Sequence, residues 1–257
     1  MLNFWTKRYI GVDISDSHVR TADTAGNVVI DETVANFVMK NNIEYDTTLS
    51  LWTNVNTVLK IMNCIVRKTR SLLGLHFVLA VPSENYAETQ QTLLETTVGK
   101  MGNLKTLILV DNIIAAAVSA SSEDSKIMGP DEVSKKLYVF SQSTHTYISL
   151  FWAGSLVDFK KIPKGYNDLE NNDLVSGIKG LIYGLPIDVP SQFLENNKMK
   201  PFLKEWNKPL DRKVFISIPS FKHSSLGSQI GELDVTYTRY SDHLVLEGLV
   251  RIVKLYT

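Results

Sequence analysis

Near the start of the chain, apolar residues alternate with polar ones in three short runs, "RYIGVDIS", "HVRTADTAG" and "NVVIDETVANF", separated by polar turns at Asp16 and at Ala25-Gly26-Asn27. A period of two puts one face of each run in a core and the other towards solvent, so the three runs are expected to form a meander of strands. The period then lengthens. Leu51, Trp52, Val55, Val58, Leu59, Met62, Ile65 and Val66 recur at helical spacing, which predicts an amphipathic helix over about 49–70. "HFVLAVP" is a continuous apolar run of strand length. It is followed by a helix predicted from about Tyr86 to Met101, the strand "TLILVD" and the alanine-rich helix "NIIAAAVSASS".

A polar stretch containing Gly-Pro, "SSEDSKIMGPDEVSKK", reads as a linker, and beyond it the pattern restarts. "KLYVFSQ", "THTYISLFWAG" and "SLVDFKKIPKG" predict a second meander. Asn167 to Gly184 is predicted helical, with Leu174, Ile178, Leu181 and Ile182 on one face. "VFISIP", "DVTYTR" and a final helix from about Asp242 to Leu255 complete the repeat. The expected architecture is α/β: two lobes of mixed sheet covered by helices, 1–124 and 125–240, with a C-terminal helix over 241–257 packing back on the first.

Composition narrows the function. A chain of 257 residues, 44% hydrophobic and 21% charged, is long enough to bury a sizeable core. Lysine plus arginine and aspartate plus glutamate balance at 27 each, so no basic field draws it to nucleic acid. The lone Cys64 forms no internal disulfide and sits in an apolar helical stretch as a small core residue. Without a run of about eighteen apolar residues or a signal-peptide pattern, the expected location is the cytoplasm. His18, His76, His145, His223 and His243 lack metal-ligand spacing, and "PSFKHSS" lacks the elbow of a hydrolase nucleophile. No metal site and no catalytic residue is expected.

Three stretches carry a resemblance: "YIGVDISDSHVRTADTAGNVVIDETVANF", "LAVPSENYAETQQTLLETTVGKMGNLKTLILVDNIIAAAVSAS" and "YISLFWAGSLVDFKKIPKGYNDL". Their order resembles the actin, sugar-kinase and Hsp70 ATPase superfamily, and within it the MreB-type bacterial actins. The resemblance covers most of the chain, strongly in the first lobe and weakly in the second. It implies a two-lobe actin-like (ribonuclease H-like) fold with a nucleotide cleft.

The nucleotide motifs are altered. The family's first phosphate loop reads roughly Asp-Leu-Gly-Thr-Ala-Asn, where small residues let backbone N–H groups approach the β- and γ-phosphates. The matching residues are Asp13, Ile14, Ser15, Asp16, Ser17 and His18. Ser15 replaces the glycine, and Asp16 is expected to repel a polyphosphate. The second loop, usually Asp-Ile-Gly-Gly-Gly-Thr-Thr, becomes Phe140, Ser141, Gln142, Ser143, Thr144, His145 and Thr146, and the adenine-side Thr-Gly-Gly-Gly becomes Ser217, Ile218, Pro219 and Ser220. Asp13, Ser15, Asp16, Ser143, Thr144 and Thr146 are therefore vestigial nucleotide positions, with Asp111 a weaker one. Asp111 and Asn112 stand where the family has paired glutamates; Asp111 either positions an attacking water or caps the helix that follows it.

MreB-like proteins carry an extra small subdomain in each lobe. Here only "MKNNIEYDTTLS" and the stretch Gly184 to Lys213 occupy those places, so both subdomains are expected to be reduced or absent. Leu2, Phe4 and Trp5 beside Lys7 and Arg8, and Leu72 and Leu73 in "RKTRSLLGLHF", pair apolar groups with cations as in peripheral membrane anchors or partner surfaces, the alternative for the leucines being the end of a core helix. The reading that results is an MreB/actin-like pseudo-ATPase without a cofactor. It would act as a protein-binding scaffold in a bacterial cytoskeletal or membrane-associated assembly, beside MreB-type filaments or at the inner face of the cytoplasmic membrane. Two alternatives stay open: a divergent, weak ATPase that binds ATP with Mg and forms filaments, and a scaffold of a secretion or pilus apparatus.

Overall fold

The computed structural model describes residues 8–46, 49–69, 71, 73–86, 101–121, 127 and 134–255. The chain divides into two compact units, Met1–Ala116 with Val245–Thr257, and Ala117–Leu244. The helix predicted over Tyr86 to Met101, most of the linker, and Leu2, Phe4, Trp5 and Leu72 lie outside the described residues.

In the first unit, β1 (Arg8–Ile14), β2 (His18–Asp23), β3 (Val28–Thr33), β4 (Leu75–Val81) and β5 (Leu104–Asp111) form a sheet in the order β3-β2-β1-β4-β5. β1 and β2, and β2 and β3, pair antiparallel; β4 runs parallel to both β1 and β5. The turn between β2 and β3 is closed by Asp23, whose carboxylate accepts hydrogen bonds from the amides of Ala25 and Asn27, while Gly26 supplies the positive φ of 87°. The alternating run "NVVIDETVANF" does not stay a strand to its end. Thr33 accepts a hydrogen bond from the Asn36 amide at 3.3 Å and opens helix α1 (Val34–Lys40), because Val34, Phe37 and Val38 then bury together on one helical face.

The predicted helix over 49–70 is two pieces. Leu51–Thr53 is a 3₁₀ turn and α2 runs Val55–Thr69. Its Val58, Ile61, Met62 and Ile65 are fully buried in one core with Ile10, Val12, Phe77 and Leu79 of the sheet, and Cys64 lies at the edge of that core. Helix α3 (Asn112–Ala120) follows β5, and α5 (Leu244–Val253) ends the described chain. Leu246 and Val250 of α5 pack on Ala22, and Gly248 meets the Ala115 carbonyl so closely that a Cβ would not fit.

The second unit holds β6 (Lys135–Ser141), β7 (Thr146–Trp152), β8 (Ser155–Ile162), β9 (Leu210–Ser217), β10 (Gln229–Ile230) and β11 (Leu233–Tyr237), in the order β10-β11-β9-β6-β7-β8. The meander β6-β7-β8 is antiparallel, and β9 joins β6 parallel. Helix α4 (Asn171–Tyr183) starts later than expected, at a capping box in which Glu170 and Asp173 exchange side-chain and backbone hydrogen bonds. Leu174, Ile178 and Leu181 of α4 complete the core with Leu137, Ile148 and Ile216.

The stretch after α4, where the resemblance places a small subdomain, has a core of its own. The helical turns Ser191–Leu194 and Lys200–Glu205 wrap Trp152, Phe193, Met199 and Trp206. Trp206 packs edge-on to Trp152 at 5.0 Å between ring centroids, and its indole donates to the Ile187 carbonyl at 3.1 Å.

Candidate functional site

The first loop is a tight hairpin joining β1 to β2. The Ser15 amide donates to the His18 carbonyl at 2.9 Å, and the His18 amide donates to the Ser15 hydroxyl at 3.0 Å. Asp16 does not stand free at its tip. Its carboxylate accepts the Leu51 amide at 2.7 Å and the Ser50 hydroxyl at 2.9 Å, while the buried indole of Trp52 donates to the Ile14 carbonyl at 2.8 Å. The shortened connection before α2 is thus clamped onto the hairpin by residues 34 to 38 positions apart in sequence. The charge expected to repel phosphate is partly compensated by two donors from its own lobe.

The second loop repeats the geometry of the first. The Gln142 amide donates to the His145 carbonyl at 2.8 Å, as Ser15 does to His18. His145 Nδ1 lies 2.9 Å from the Thr144 hydroxyl, as His18 Nδ1 lies 3.1 Å from that of Ser17. This tip is also fastened from behind. Thr146 shares a 2.7 Å hydrogen bond with Ser141 and donates to the Lys164 carbonyl at 2.9 Å; the Tyr166 amide donates to the Gln142 carbonyl at 2.8 Å. Between them Gly165 lies directly on the backbone of Ser143 and Thr144, where a Cβ would come well under 3.0 Å from main-chain atoms. The lobe's own backbone thus closes one side of the tip, while Ser143 and Thr144 stay exposed.

The third loop carries no free hydroxyl at its start. Ser217 is fully buried, sharing a 2.7 Å hydrogen bond with Thr238 and accepting from Tyr138 at 3.0 Å. Burial pushes the Tyr138 phenol well above its ordinary range, so Tyr138 acts as a neutral donor. Pro219 then opens a 3₁₀ turn, Ser220–Lys222, which leaves Phe221 exposed.

Asp111 ends β5, buried at 6% exposure. It accepts from the Ile113 amide at 2.8 Å and from the Ser83 hydroxyl at 2.6 Å, while Asn112 accepts the Ser83 amide at 3.2 Å. Of the two sequence readings, this is the geometry of a helix cap for α3. Burial raises its carboxyl above the ordinary carboxylate value, against the hydrogen bonds from Ser83, Ile113 and Ile114, which lower it. Because the folded value is raised, the stability it contributes is present at low pH and lost as pH rises through that value. Asp111→Ala is expected to cost about 1 kcal/mol. Asp111→Asn keeps the acceptor without the buried charge, so its melting temperature at neutral pH should equal or exceed that of the natural chain, an advantage that shrinks on acidification. A melt series across pH checks both variants.

Asp13, at the inner end of β1, is buried at 6% exposure. Leu73 is half exposed, so it is not part of the core; Arg67 and Lys68, in the last turn of α2, are exposed as well. The sequence reading missed the Asp16 clamp and Gly165. The first shows in sequence only as an N-cap pair, Ser50 before Leu51; the second shows only as a glycine in "IPKGY". A separate open groove of about 550 Å³ in the first unit is lined by Glu44, Tyr45, Asp46, Asn54, Thr57 and Lys60 among others.

No protein-family model matches the sequence, and no curated protein matches it. Solved structures do. MreB5 of Spiroplasma citri bound to AMPPNP superposes with a TM-score of 0.62 at 13% identity, over 98% of this chain and 97% of that one. The same protein bound to ADP gives 0.61 at 14% identity, with the same coverage. The apo ParM protein of psk41 gives 0.57 at 12% identity, over 97% of this chain and 98% of that one. Likeness at such low identity speaks to the fold alone.

Proposed function

The chain has the two-lobe actin-like ATPase fold, and we propose that it serves within that fold as a pseudo-ATPase, a protein-binding or scaffolding component of a bacterial cytoskeletal or membrane-associated assembly. One observation carries the proposal: at all three loops glycine is replaced, and at each a polar group of the loop is engaged inside its own lobe. Asp16 is held by Ser50 and Leu51, Gln142 by His145 and Tyr166, Ser217 by Thr238 and Tyr138. A nucleotide would have to displace these contacts before gaining its own. What remains of the fold is surface, and proteins of like fold use theirs to assemble with copies of themselves, as the double-helical filament of MamK illustrates. The membrane side of the proposal rests on the exposure of Leu73 and of the cations Arg67 and Lys68, a few positions before it in sequence.

A second reading, a weak ATPase, draws on a different observation: MreB5 was solved with both AMPPNP and ADP, and Asp13 is kept as the last but one residue of β1. Calorimetry separates the two. Titration of ATP with magnesium into the protein is expected to give no saturable heat at millimolar nucleotide. Micromolar affinity, about 8 kcal/mol of binding, would put the ATPase reading first.

A further inference from the structure

Each sheet ends on the third strand of its meander, β3 in one and β8 in the other, and among the described residues no strand pairs with the outer edge of either. An open edge is a row of backbone donors and acceptors able to take another strand. The two edges differ in charge. β3 carries Asp31 and Glu32 and no cation; β8 carries Lys160, Lys161 and one acid, Asp158, all three exposed, as Asp31 is, and the Asp158 carboxylate accepts the Phe159 amide at 2.8 Å.

Their order also matches. Set side by side in the same direction, Val28 falls beside Val157, Ile30 beside Phe159, Asp31 beside Lys160 and Glu32 beside Lys161. Of the six neighbouring positions in that register two are apolar and two acid–base, while Val29 falls beside Asp158 and Thr33 beside Ile162. β3 on β3, or β8 on β8, would bring like charges together in the same register. Within its own lobe Asp31 already meets Arg20 at 3.1 Å and Glu32 meets Lys40 at 2.9 Å. Those pairs fix the carboxylates along the edge, and each carboxylate has acceptor sites enough for a further cation.

We infer that β3 of one copy adds in parallel to β8 of a second copy, joining the sheets of two molecules edge to edge. The contact is heterologous: a joined pair still presents one β3 edge and one β8 edge, so association continues past the pair, into a ring where the rotation closes and an open chain where it does not. It needs no nucleotide, and it stands or falls independently of the pseudo-ATPase reading.

The test is sedimentation velocity of the full chain over a concentration series, at about 0.05 M and about 0.5 M salt. The natural chain is expected to associate as concentration rises, and less so at high salt. Lys160→Glu with Lys161→Glu breaks none of the ion pairs named above and should move the association midpoint at least about tenfold to higher concentration. Asp31→Lys with Glu32→Lys should do the same. Mixing the two double variants in equal amounts, or combining all four changes in one chain, should restore association. A natural chain that stays monomeric to about 1 mM overturns the inference and makes the lysines guards against pairing. So does a β8 variant that associates like the natural chain, or a mixture that fails to recover. Thermal melts verify folding, and the β8 arm decides the matter if the β3 variant does not fold.

Discussion

Trp206→Ala is expected to destabilise the protein by about 3–5 kcal/mol, the range for removing a large aromatic from a packed site. The side chain is 2% exposed and lies in contact range of Trp152 and Phe193, with the Lys135 ammonium 4.5 Å above its ring. The segment it belongs to, 184–209, has no regular element longer than six residues. Its order depends on this cluster rather than on backbone ladders. The loss should therefore appear first as local opening: limited proteolysis ought to cut within 184–209 under conditions where the two sheets stay intact, and denaturant melts should show the global cost. Trp206→Phe keeps most of the ring contact but loses the indole bond to the Ile187 carbonyl, so a drop of about 1 kcal/mol is expected. Equal protease resistance in the alanine variant would mean that the segment is held by something other than its aromatic core.

The two meanders were legible because their information is local. Alternation gave the strands, and Asp16 and the Ala25-Gly26-Asn27 group gave the turns. The mixed sheets covered by helices followed from the repeat of meander, helix and strand. What escaped is contact between distant residues. Nothing around Asp16 announces that Ser50 and Leu51 will meet it 34 or 35 positions later. Residue type alone therefore made Asp16 an exposed charge, although its carboxylate is already bound. The helix Val34–Lys40 was hidden for another reason. A run of β-branched and aromatic residues fits either period, and Thr33, which decides between them as a cap, is also a common strand residue. Asp111 was legible in both of its readings, and the cap contact itself shows only in the Ile113 amide that its buried carboxyl accepts.

Gly165→Ala tests the most consequential of these long-range contacts. Gly165 lies on the tip of the second hairpin, and the chain is fastened on both sides of it, by the Thr146 hydroxyl at Lys164 and by the Tyr166 amide at Gln142. An added methyl would run into the carbonyl of Ser143 and the amide of Thr144, both backbone, with no side chain that can swing aside. Either the tip or the segment 164–166 must move. The expected result is a loss of at least about 2 kcal/mol, together with faster hydrogen exchange at the Tyr166 amide, whose acceptor is on the displaced hairpin. Gly102→Ala is the matched control. Among the described residues no atom lies within 4 Å of its Cβ position, so it should be neutral or stabilise by a few tenths of a kcal/mol through the unfolded chain. If Gly165→Ala melts like Gly102→Ala and leaves Tyr166 protected, the hairpin tip yields easily. A phosphate could then displace the backbone that fills it, and the pseudo-ATPase reading would lose its support in the second lobe.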